Sequence, residues 1–76
     1  MTKLIFYKRE RVIDDRRTGA AIRKYRKLHS VRQAVLAKEL GFTQPMLCGL
    51  ELGTKYHWSE ELVVKATKAI NELIAL

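Results

Sequence analysis

Apolar residues recur along this chain at the three- and four-residue intervals of an α-helix, in four stretches separated by glycines and polar caps. From Asp14 to about Leu28, the positions Ala21, Ile22, Tyr25 and Leu28 form one stripe, while Arg23, Lys24 and Lys27 occupy another face. A second stripe, Val35, Leu36, Ala37 and Leu40, runs within about Val31 to Leu40, and Gly41 follows as a natural C-terminal stop. Ser30 with Gln33 three residues later fits a capping box, although a helix beginning at Arg32 fits equally. The third helix is short, from Thr43 or Gln44 to about Leu52, with Leu47 and Leu50 as core positions and Gly53 as terminator.

Ser59 is placed to cap a fourth helix. Glu60 and Glu61 suit the positive end of its dipole, and Leu62, Val63, Ala66, Ile70, Leu73 and Ile74 supply its apolar positions. At the other end, Leu4-Ile5-Phe6-Tyr7 followed by Lys8-Arg9-Glu10-Arg11 reads as a strand or an extended arm. The expected architecture is therefore all-α: a bundle of four to five helices over residues 14–76, with an arm or short strand over residues 1–13.

Composition narrows the class. Seventy-six residues, 47% hydrophobic and 30% charged, fit one small folded domain rather than a disordered segment. The single cysteine, Cys48, has no internal partner for a disulfide. With no signal-peptide pattern and no long apolar run, the expected setting is the reducing cytoplasm, beside the nucleoid, and not a membrane. Charge is unevenly placed. Residues 1–32 carry eleven basic side chains against three acidic ones, whereas the remainder carries four against five, so the net +7 comes wholly from the first part. Clustered positive charge on a small domain favours a polyanionic partner, because every neutralised phosphate releases condensed counterions.

Helices two and three, joined by Gly41-Phe42-Thr43, make a helix-turn-helix over about residues 31–52, the arrangement that presents its second helix to a DNA groove. The residues Gly19-Ala-Ala-Ile22-Arg-Lys-Tyr25-Arg26, then Gln33-Ala-Val-Leu36-Ala37-Lys-Glu-Leu40-Gly41, then Thr43-Gln44-Pro-Met-Leu47-Cys-Gly-Leu50-Glu51-Leu-Gly53 resemble the phage repressor and Cro (XRE) family of lambda-repressor-like helix-turn-helix proteins. Spacing agrees without gaps from about residue 19 almost to the C-terminus. The resemblance implies a transcriptional regulator, a repressor first of all, that binds an inverted repeat in double-stranded DNA as a homodimer.

On a helical wheel with Leu47 and Leu50 inward, Gln44, Pro45, Cys48 and Gly49 face outward and Met46 flanks them, giving five candidate base contacts. Gln44 leads, since a carboxamide both donates to and accepts from the edge of adenine, and the family places a base-reading glutamine there. A residue before proline is pushed out of the α region, so Gln44 is also a candidate N-cap with Pro45 at the first helical position. Pro45 and Met46 suit either a thymine methyl or loose packing at the helix edge. Gly49 departs from the family, which usually carries a polar side chain there.

Candidate phosphate contacts are Arg32, Gln33, Thr43, Lys55 and Tyr56. Gln33 matches the family's phosphate-binding glutamine, with capping as its alternative role. The resemblance also implies a structural ion pair between Arg26 and Glu51. Leu4, Phe6, Leu73, Ile74 and Leu76 are the candidates for dimer contacts.

Catalysis is not expected. Cys48, His29 and His57 share no spacing typical of a nucleophile with its base or of metal ligands, so neither a metal nor a cofactor is implied. The rival reading is an antitoxin that binds a toxin protein while regulating its own operon, because this fold serves both ends.

Overall fold

A computed structural model of the chain describes residues 8, 9 and 12–75. Leu4, Phe6 and Leu76, three of the dimer candidates, lie outside the described residues. Two short strands, β1 (Lys8–Arg9) and β2 (Val12–Ile13), pair antiparallel with Lys8 opposite Ile13 and Arg9 opposite Val12. Four helices follow: α1 (Asp15–Leu28), α2 (Gln33–Leu40), α3 (Gln44–Leu52) and α4 (Glu60–Ala75). Among the described residues there is no fifth helix.

Local chemistry sets the helix ends. The Asp14 carboxylate accepts the Arg17 amide at 3.0 Å and opens α1, the Thr43 hydroxyl accepts the Met46 amide at 3.3 Å and opens α3, and Ser59 does the same for Leu62 at 3.1 Å before α4. Helices α2 and α3 end on Gly41 and Gly53, both left-handed at φ 75° and 67°, which turns the chain sharply without a Cβ penalty. The capping box expected from Ser30 and Gln33 does not form. Ser30 is itself left-handed (φ 57°), the N-cap is Arg32, and no side chain caps α2.

Helix α3 packs on both α1 and α2, and α4 covers α2 and part of α1. Ile22, Leu36, Leu47, Val63, Ala66 and Ile70 are wholly inaccessible and form the centre of the core. Burying each of the larger ones is worth about 1.5–3 kcal/mol. Trp58, between α3 and α4, is buried too: its indole N–H donates to the Leu50 carbonyl at 2.8 Å, and its amide donates to Asp15 at 2.7 Å. One aromatic residue thereby ties the lead-in of α4 to the end of α3 and the start of α1.

The buried stripe of α1 is rotated from the one its apolar periodicity predicts. Thr18, Gly19, Ile22 and Arg26 face inward, whereas Leu28 is 74% exposed. The reason is close approach: a Cβ on Gly19 would overlap the Leu50 and Glu51 carbonyl oxygens, so α1 lies against the backbone of α3 along its small residues. Of the stripe expected on α2, Leu36, Ala37 and Leu40 are buried and Val35 is exposed. On α4, Leu73 is half-buried and Ile74 exposed.

Candidate nucleic-acid interface

The start of α3 carries the polar side chains singled out above, and a chain of hydrogen bonds fixes them from behind. Arg26, buried on α1, makes a two-pronged ion pair with Glu51 of α3: Nε donates to Oε2 at 2.8 Å and Nη2 to Oε1 at 2.9 Å. The remaining arm, Nη1, donates to the Val31 carbonyl at 2.9 Å. Glu51 Oε1 also accepts the Gln33 side-chain amide at 3.1 Å, and Gln33 Oε1 accepts the Gln44 amide at 3.3 Å. Among the described residues, no buried side-chain nitrogen or oxygen lacks a partner.

This relay has a direction. A carboxylate only accepts, so Glu51 forces Gln33 to present its NH2 inward and its oxygen toward Gln44. Gln44 must then offer one of its two N–H groups to Gln33, which leaves its carbonyl oxygen and second N–H free at the exposed first turn of α3. An acceptor beside a donor is the pattern that pairs with the N6 and N7 edge of adenine. Gln33 thus links Glu51 to Gln44 and caps nothing: no side chain caps α2, and the Ser30 amide donates instead to the Lys27 carbonyl at 3.0 Å. Gln44 is the first residue of α3 and not its cap, because Thr43 takes the cap and Pro45 stands second, where no intrahelical amide is needed.

Around this relay the other candidates divide. Thr43, Pro45, Arg32 and Lys55 are exposed, and Met46 is half-buried. Cys48 is half-buried beside a groove of about 240 Å³ that it lines with Arg23, Arg26, Gln33, Glu51 and Leu52. Gly49, expected to face outward, is buried. Its α-carbon lies under the ring of Tyr56, so near that a Cβ would come within 3.0 Å of it. Gly49 is thus not a base-contact candidate; its missing side chain seats Tyr56 and the loop that carries Lys55. Tyr56 is correspondingly half-buried.

The loop is held at its far side by His57 and Asp15, paired at 2.7 Å. Burial pushes the Asp15 carboxyl up, but the hydrogen bonds from His57 and the Trp58 amide, together with the charge of His57, outweigh it and hold the carboxyl below its ordinary value. Both histidines are exposed. Among the described residues no three His, Cys, Asp or Glu side chains gather as a metal ion would require.

Sequence reasoning did not find Trp58, the Asp15 contacts or the Gln33–Gln44 link. A lone tryptophan in a loop has no periodic signal, and the link depends on the angle between two helices. Among the described residues, no helix is long and apolar enough to cross a membrane. Compared with protein-family models, with curated proteins and with solved structures, the chain matches none.

Proposed function

We propose that this chain binds double-stranded DNA sequence-specifically and acts as a transcriptional repressor, two subunits placing α3 in successive major grooves of an inverted repeat. The observation that carries this reading is the exposed Gln44 carboxamide at the start of α3, held in one orientation by Gln33 and through it by the buried Glu51–Arg26 pair. Such preorganisation lowers the ordering cost of reading a base edge. Two further features support it. Helix α2 begins at the same side with free backbone amides and no side-chain cap, leaving its N-terminus available to a phosphate. The positive charge concentrated in residues 1–32 supplies the sequence-independent attraction. Ile74, exposed near the end of α4, and the half-buried Leu73 are the described candidates for the seam between subunits.

Selection from a pool of random duplex DNA tests the proposal. The expected result is enrichment of a two-fold symmetric site whose half-sites lie about one helical turn apart, with binding that weakens steeply as salt rises. Enrichment of no sequence, or affinity indifferent to salt, would remove the basis for the proposal.

A further inference from the structure

The positive charge of α1 is gathered on one side of the helix. Arg16, Arg23, Lys24 and Lys27 are exposed and form the walls of a groove of about 400 Å³ between α1 and the end of α3, with Ala20 and the exposed Leu52 as its apolar floor. Among the described residues none of these four cations is paired with a carboxylate; Glu51, at the groove's edge, has both oxygens taken by Arg26. Lys27 stands about 6 Å along the axis from Arg23, and Arg16 to Lys27 spans about 16 Å. The groove adjoins the smaller one beside Gln33 and Cys48, with Arg23, Glu51 and Leu52 shared between them.

We propose that this groove cradles one sugar–phosphate strand of the duplex, alongside the stretch that α3 reads. Unneutralised cations at successive turns suit consecutive phosphates, and an exposed leucine and alanine between them suit the apolar faces of deoxyribose. The lining residues shared with the groove beside Gln33 favour the strand of the same duplex. Arg23, lining both grooves, stands at the junction. The inference rests on the DNA-binding reading above, but adds a distinct set of charged contacts, all four carried by α1.

The test compares the parent chain, the double variant Arg23→Ala/Lys27→Ala and the single variant Lys68→Ala, which removes charge from an exposed position on α4. Each is titrated with a mixed-sequence duplex and with a duplex selected from the random pool, over a range of salt. The double variant should lose affinity for both duplexes by similar factors. Its slope of log affinity against log salt should fall by about 0.9 for each phosphate it no longer neutralises, while its base preference stays that of the parent. Lys68→Ala should barely change the slope. If the double variant keeps the parent's slope, or only matches Lys68→Ala, the cradle is wrong while the role of α3 stands. If the parent binds neither duplex, both fall. Polyglutamate binding that depends on Arg23 and Lys27 while duplex binding does not would assign the groove to an acidic protein segment and overturn the proposal.

Discussion

At the residue scale, Glu51 has a double duty: it neutralises a buried arginine and orients Gln33. Breaking a buried pair by deleting one partner costs about 3–5 kcal/mol, against a stability of about 4–11 kcal/mol for a chain this long. Glu51→Ala should therefore lower the unfolding midpoint sharply in a thermal or urea melt, and its loss of DNA binding should follow loss of fold. An unchanged midpoint would mean that Arg26 finds another partner at no cost. The ion pair could be expected from the sequence only because Arg26 and Glu51 stand where the family resemblance pairs them. Gly49 was not. A helical wheel assigns directions from periodicity alone, and the ring of Tyr56, seven residues on, closes over a position the wheel leaves open.

Among the elements, the crossing of α1 over α3 is the most demanding contact. A Cβ on Gly19 would meet carbonyl oxygens of the opposing backbone, which cannot retreat as a flexible side chain would. Gly19→Ala should thus destabilise despite the gain of roughly 1 kcal/mol in helix propensity, whereas Leu28→Lys, at an exposed position, should leave the melt within about 0.5 kcal/mol of the parent. Helix type and approximate bounds could be read from the sequence, since caps and terminating glycines are local signals. Which face each helix buries could be read less well, because small residues and a buried arginine, rather than the largest apolar ones, set the approach of α1.

The Asp15 contacts with His57 and Trp58 join the start of α1 to the loop after α3, and they give this junction a pH dependence. Because the folded carboxyl is held below 3.8, the unfolded chain binds the proton more readily. The stabilisation is complete above that ordinary value and is lost as pH falls through it toward the lower folded value. Melts of the parent and of Asp15→Asn should accordingly differ at neutral pH and converge as the solution is acidified below about pH 4. A difference independent of pH would show that the charge on Asp15 contributes nothing to the junction.

For the whole molecule, the two requirements that the proposed DNA binding would place on a small domain are met by different parts. Among the described residues, a core of twelve buried apolar side chains drawn from all four helices and the loops around them fixes α3 in place, and the surface of α1 concentrates charge. The helical class was legible because apolar stripes and caps survive without knowledge of packing. The relay from Arg26 to Gln44 was not, since it runs through three helices and exists only once they are docked. That relay is the centre of the account, and base discrimination measures it most directly. Parent and Gln44→Ala are titrated against the selected duplex and against duplexes with each half-site base pair changed in turn. Gln44→Ala, unchanged in its melt, should lose about 1–3 kcal/mol of discrimination at one base pair per half-site and keep the others. Equal discrimination by both proteins at every position would contradict a base-reading role for Gln44.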